Sequence, residues 1–126
     1  FIRRPEDFDV VVGSNLFGDI LTDIGAIITG SMGLAPSGNI NPTRKFPSMF
    51  EPVHGSAPDI SGKGISNPLA SILSLEMMLE HLGEKDAAED IHKSVLKVLD
   101  NPNNLTTDLG GVCTTSQVGD LIVSYL

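Results

Sequence analysis

Apolar positions recur at helical spacing in four stretches of the chain. From about Leu16 to Ile28, the residues Leu16, Ile20, Ile24, Ile27 and Ile28 share one side of a helix opened by Ser14 or Asn15. Gly18 and Gly25 lie inside it, each costing on the order of 1 kcal/mol relative to Ala, so close packing against another helix or against a ligand is expected there. Pro68 to Leu82 is apolar around much of its circumference, which predicts burial between other elements, and Gly83 stops it. Asp86 to Leu99 is amphipathic, with Ala87, Ile91, Val95, Val98 and Leu99 inward. Val118 to Leu126 forms the last helix, behind a capping box at Thr114-Thr115-Ser116-Gln117.

Strand patterns are fewer. Phe8 to Val12 carries a β-branched run ending at Gly13 and reads as a short buried strand of parallel type. Ser48 to Val53 reads as a second strand, and Met32 to Leu34 as a shorter one. Asn41 to Lys45 reads as an exposed turn, and Thr106 to Cys113, with its glycine pair, as a loop or bent strand. The fold class is α/β, with helices packed on an incomplete sheet. Buried strands need neighbours on both sides, so the chain reads as a piece of a larger α/β protein or as one that pairs with another chain.

Composition narrows the function classes. The 126 residues suit one ordinary domain, and 40 % apolar content with 5 % aromatics and no Trp predicts an aliphatic core. A formal charge of −8 argues against nucleic acid or an anionic membrane as the main partner. An anionic cofactor is still admissible, because helix N-termini and loops attract anions locally. Cys113 is the only cysteine, so no internal disulfide forms, which fits a cytoplasmic protein. No apolar run approaches the roughly 20 residues of a membrane span. The first residue is Phe1 rather than Met, which reads as the mark of a fragment or processed product.

Two stretches carry candidate chemistry. Glu51 to Pro68 reads as a strand end, a Gly- and Pro-fixed loop and a helix start. Small residues there let backbone approach a ligand, and free N–H groups, His54 and Asp59 make a lining suited to an adenosine diphosphate moiety. Asp59 offers acceptors to a ribose diol and repels a 2′-phosphate. Asn67-Pro68 opens the following helix, Asn as N-cap and Pro in the first helical position. An ordinary turn is the competing reading of the loop. The second stretch holds Asp19 and Asp23, one helical turn apart on one face. A hard divalent cation such as Mg²⁺ or Mn²⁺ takes two carboxylates in this way, while two solvated acids near a helix N-terminus are the alternative. His81 and His92 read as surface residues, Cys113 as an inert thiol.

Together the segments Asp9 to Asp23, Gly33 to Asn39, Phe50 to Pro68 and Asp108 to Gly111 resemble the metal-dependent β-decarboxylating dehydrogenases of the isocitrate/isopropylmalate dehydrogenase family. The resemblance spans nearly the whole chain and matches the C-terminal third of such enzymes. The tartrate/D-malate type is nearest, and isopropylmalate dehydrogenase is the runner-up. It implies an isopropylmalate dehydrogenase-like fold, with residues 1–29 ending the smaller, dimer-forming domain and 30–126 belonging to the larger, cofactor-binding one. It implies that Asp19 and Asp23 hold Mg²⁺ or Mn²⁺. Glu51 then lies near the nicotinamide-side ribose. His54, Gly55, Ser56, Ala57 and Pro58 wrap the adenosine, Asp59 binds its ribose hydroxyls, and Asn67 contacts the adenine. NAD is favoured over NADP. The implied activity is NAD-dependent oxidative decarboxylation of a small 2-hydroxy dicarboxylic acid by a homodimer. The family's catalytic Tyr and Lys, and a further Asp ligand from a neighbouring subunit, are expected upstream, so the chain alone is expected to be inactive. A non-catalytic regulatory subunit on the same fold, or a domain that only binds nucleotide, are the other readings.

Overall fold

The computed structural model describes residues 1–126. A 3₁₀ turn at Pro5–Asp7 precedes helix α1, Asn15–Ile28. A second 3₁₀ turn, Met32–Leu34, leads into strand β1, Pro36–Asn39, and then strand β2, Met49–Pro52. Helices α2, Leu69–Leu82, and α3, Lys85–Leu99, follow. Two further 3₁₀ turns, Pro102–Asn104 and Thr107–Leu109, precede helix α4, Thr115–Tyr125. The strands form one antiparallel pair in which Pro36 faces Pro52 and Asn39 faces Met49. α2 packs on both strands and on α3, and α4 packs on α3.

The core lies where the three C-terminal helices meet. Leu69, Ile91, Val95, Val98, Val118 and Ile122 form it, and the helical spacing of the α3 and α4 members explains why those faces turn inward. Two serines are buried with them. The Ser74 hydroxyl donates to the Ala70 carbonyl at 2.8 Å and Ser94 to Asp90 at 2.9 Å, so neither is left unsatisfied. The predicted capping box is present in full: the Thr114 side chain accepts from Gln117 N–H, and the Gln117 side chain accepts from Thr114 N–H. Gly83, at φ 95°, terminates α2 in the left-handed region that glycine tolerates.

Several expectations fail for identifiable reasons. Phe8 to Val12 is not a strand. Val10 and Val12 stand 82 % and 94 % exposed, because nothing in the chain supplies the flanking strands this run needs. Met32–Leu34 is a 3₁₀ turn, since the Ser31 hydroxyl accepts from Gly33 N–H and the Ser31 carbonyl from Leu34 N–H, both at 3.0 Å. The strand falls instead at Pro36–Asn39. There a Cβ on Gly38 would meet Met77 Sδ and the Phe50 ring at 3.1 Å, so close approach explains a glycine inside a strand. Within α1, no helix presses on the glycines: Gly18 has open space and Gly25 only the ring of Phe1 at 3.8 Å. α2, by contrast, is held between the strand pair and α3 as expected, with only a narrow strip including Leu75 and Leu82 exposed. His81 is half-buried rather than superficial, tilted against Phe50 with ring centroids 5.4 Å apart.

No helix is long and apolar enough to cross a membrane. Replacing Leu69, which is 1 % exposed, by Ala should cost about 2–5 kcal/mol in chemical denaturation, against about 0.5 kcal/mol or less for Leu96→Ala at 52 % exposure. Equal midpoints for the two variants would contradict the assignment of the core.

Candidate functional site

The loop after β2 borders a hollow. Residues 53 to 68 carry no regular element beyond short turns, which leaves backbone and small side chains at the surface. Ala57 has φ 42°, a left-handed conformation unusual for a residue with a Cβ. The Ile60 N–H closes this turn on the Ala57 carbonyl at 3.1 Å. Such local strain clusters at ligand-binding loops. Ala57 lines a cavity of about 420 Å³ together with His54, Asn67 and Ile60. Ser31, Gly33 and Asp108 also line it.

Asn67 anchors this cavity. It is buried, and its Oδ1 accepts from Leu69 N–H at 3.0 Å, satisfying one of the orphan donors at the start of α2. Pro68 has helical dihedrals, φ −84° and ψ −6°, as the predicted Asn-Pro helix start requires. The Asn67 Nδ2 donates to Asp108 Oδ2 at 3.0 Å. Ser31 Oγ donates to the same carboxylate oxygen and Thr106 Oγ1 to the other, each at 2.5 Å. Burial pushes the Asp108 carboxyl up, but hydrogen bonds from Ser31, Thr106 and Asn67 outweigh it and hold the group below the usual carboxylate range. One carboxylate thus ties together the Ser31 turn, the start of α2 and the Thr107–Leu109 turn.

The eight loop and strand residues named from sequence divide. His54, Ala57 and Asn67 come together on the cavity wall. Gly55, Ser56, Pro58 and Asp59 are exposed and do not line it. Glu51 lies on β2, exposed and opposite Ser37, and lines neither this cavity nor the larger one below. Ser31 and Asp108 were given no role by sequence reasoning. Asp108 stood in the Asp108 to Gly111 motif, but nothing local says what a carboxylate there will face.

Asp19 and Asp23 are both exposed on successive turns of α1. Their carboxylates take part in none of the chain's ion pairs, so their oxygens are free to accept a cation. Within the chain no set of three His, Cys, Asp or Glu side chains is placed to hold a metal; the two carboxylates are oxygen donors of the kind a hard divalent cation takes. On the stripe of α1 beside them, Gly18, Thr22 and Gly25 line a second cavity of about 520 Å³, closed on its other side by Pro36, Ser37 and Val53. The two α1 glycines therefore border open space rather than a helix.

The pattern of the isocitrate/isopropylmalate dehydrogenase family matches residues 1–122. A probable tartrate dehydrogenase/decarboxylase of Bacillus subtilis is 53 % identical over 126 residues, which is 100 % of this chain and 35 % of that protein. A 3-isopropylmalate dehydrogenase of Thermobifida fusca is 57 % identical, over 95 % of this chain and 33 % of the relative. The decarboxylating D-malate dehydrogenase of Escherichia coli is 52 % identical, over 100 % of this chain and 36 % of its own length. Among solved structures, an isocitrate dehydrogenase from Methylococcus capsulatus superposes with a TM-score of 0.91 at 45 % identity, over 98 % of this chain and 36 % of that one. The chain thus spans about a third of the length of the curated relatives it matches.

The lowered Asp108 carboxyl has a consequence for acid stability. A group ionised more readily when folded than when unfolded adds stability above the ordinary carboxylate range and loses it as pH falls through its lowered folded value. Asp108→Asn should therefore flatten the loss of stability below that range, measured as unfolding midpoint against pH. Parallel wild-type and variant curves in acid would contradict this.

Proposed function

The chain belongs to the isocitrate/isopropylmalate dehydrogenase family, and from that premise we propose that it is the C-terminal part of an NAD- and Mg²⁺- or Mn²⁺-dependent enzyme that oxidatively decarboxylates a small 2-hydroxy dicarboxylic acid. The observation that carries the reading is the hollow beside the loop, walled by three of the residues that the sequence marks as nucleotide contacts. In this reading the adenosine half of NAD occupies that hollow, with His54, Ala57 and Asn67 against it. Asp59, exposed and next in the loop to Ile60 of the cavity wall, takes the ribose hydroxyls. Its charge repels a 2′-phosphate, so NAD is preferred over NADP. Gly55, Ser56 and Pro58 keep this part of the loop slim enough for backbone to approach the nucleotide. Glu51 sits toward the nicotinamide-side ribose.

Asp19 and Asp23 hold the divalent cation, with further ligands from outside this chain. A bound cation supplies an electrophile that stabilises negative charge developing on substrate oxygens during oxidation and loss of CO₂. The role of this chain's residues is to bind and orient: the two acids fix the cation on a rigid helix, and the loop fixes the nucleotide. Proton transfer falls to a Tyr and a Lys outside these residues. The exposed Phe17, Ile20, Ile27 and Ile28 of α1 support a homodimeric parent in which residues 1–29 belong to the dimer-forming domain and 30–126 to the cofactor-binding one. A cytoplasmic location agrees with the single free Cys113.

Tartrate or D-malate is the substrate type favoured by the resemblance of Ser14 to Leu16, Ala35 to Pro42 and Phe46 to Ser48 to that branch of the family. A 3-isopropylmalate substrate is the second reading, favoured by the 57 % identity to the Thermobifida fusca enzyme. The complete enzyme assayed with D-malate, tartrate and 3-isopropylmalate, NAD and Mg²⁺ or Mn²⁺ should form NADH with at least one. No NADH from any of them would count against the proposal. In the same assay Asp23→Asn should raise the metal concentration needed for half-activity by about tenfold or more, while the unfolding midpoint stays near wild type. Unchanged activity at low metal would remove Asp23 from the ligand set. Asp59→Ala should lower the NAD-over-NADP ratio of kcat/KM by about tenfold. An unchanged ratio would separate Asp59 from the ribose.

A further inference from the structure

We propose that Asp108 is a positioning residue for nucleotide binding, acting through the side chain of Asn67. The proposal rests on the nucleotide reading of the 420 Å³ cavity. Asn67 is 6 % exposed, and both ends of its amide are committed. Its Oδ1 receives Leu69 N–H and its Nδ2 donates to Asp108 Oδ2, each at 3.0 Å. Turning the amide over would set Oδ1 against a carboxylate and Nδ2 against an N–H donor, so only one orientation is satisfied. The carboxylate therefore decides that Asn67 presents its remaining Nδ2 hydrogen to its surroundings while its oxygen stays on α2.

The same Asp108 oxygen receives the Ser31 hydroxyl, and Ser31 in turn caps the Met32–Leu34 turn. Gly33 in that turn has no room for a Cβ, which would lie 2.6 Å from the Asn67 Cβ. The Ser31 wall and the Asn67 wall are thus held at a fixed spacing by one anionic group, across sequence separations of 77 and 41 residues. Asp108 does not line the cavity beside α1. Its loss should loosen the grip on the nucleotide and leave the chemical step alone.

The test is a double-variant cycle in the complete enzyme with NAD as the probe, using Asp108→Ala, Asp108→Asn, Asn67→Ala and the Asn67→Ala/Asp108→Ala pair. Asp108→Ala should raise KM for NAD about tenfold with kcat within about twofold of wild type. Asp108→Asn should recover part of that loss, because its amide oxygen still accepts from Asn67; it also serves if the Ala variant does not fold. In the Asn67→Ala background, removal of Asp108 should change KM by less than about twofold. Multiplying effects in the paired variant, or a fall in kcat at constant KM, would overturn the positioning role while leaving the nucleotide cavity standing. An unchanged KM in Asn67→Ala would overturn the nucleotide reading itself and this proposal with it.

Discussion

The Asn67 amide is the joint on which the site depends. An amide buried at the start of a helix must satisfy both its donor and its acceptor, or the unpaired group costs about 1–3 kcal/mol. Here the acceptor is spent on α2 and the donor on Asp108. That pairing draws the Ser31 turn and the Thr107–Leu109 turn onto the same carboxylate. Three distant pieces of chain become the wall of one hollow. Two glycines permit the approach: a Cβ on Gly33 would collide with Asn67, and one on Gly111 would collide with the Leu105 carbonyl.

Rigidity for this joint comes from the helices behind it. Leu69, two residues after Asn67, is fully buried in the cluster with Val95, Val98 and Val118. The end of α2 that meets the loop is thereby locked to the core. The loop itself holds no such apolar anchor, and its Gly55, Ser56, Pro58 and Asp59 remain exposed. A fixed helix start beside an open, small-residue loop is the arrangement expected of a nucleotide cleft, whose backbone groups must stay available for ligand. The Asp19 and Asp23 pair follows the same logic, standing on a regular helix that fixes their spacing while their oxygens face outward.

Helices were legible where a periodic apolar face coincided with a cap. Pro68 to Leu82 and the α4 capping box appear within a residue or a few of their sequence bounds, because Asn67, Gly83 and Thr114 are local signals. Strands were less legible. Val10 to Val12 have strand propensity but no strand beside them, and pairing is a property of neighbours rather than of the run itself. β1 was missed because Pro36 and Gly38 lower its propensity, while its partner Phe50 and the overlying Met77 demand the glycine. In the site, the loop and the paired acids were visible as local patterns. Asp108 was not assigned, since its meaning lies in contacts with Ser31 and Asn67 far away in sequence.

The central claim is that this loop and helix start enclose the adenosine of a dinucleotide. A crystal structure of the complete protein with NAD tests it most directly. The account predicts adenine seated against His54, Ala57 and Asn67, its ribose hydroxyls within hydrogen-bonding distance of Asp59, and Asn67 still bonded to Asp108. Adenosine bound elsewhere, with that hollow vacant in the same crystal, would contradict it.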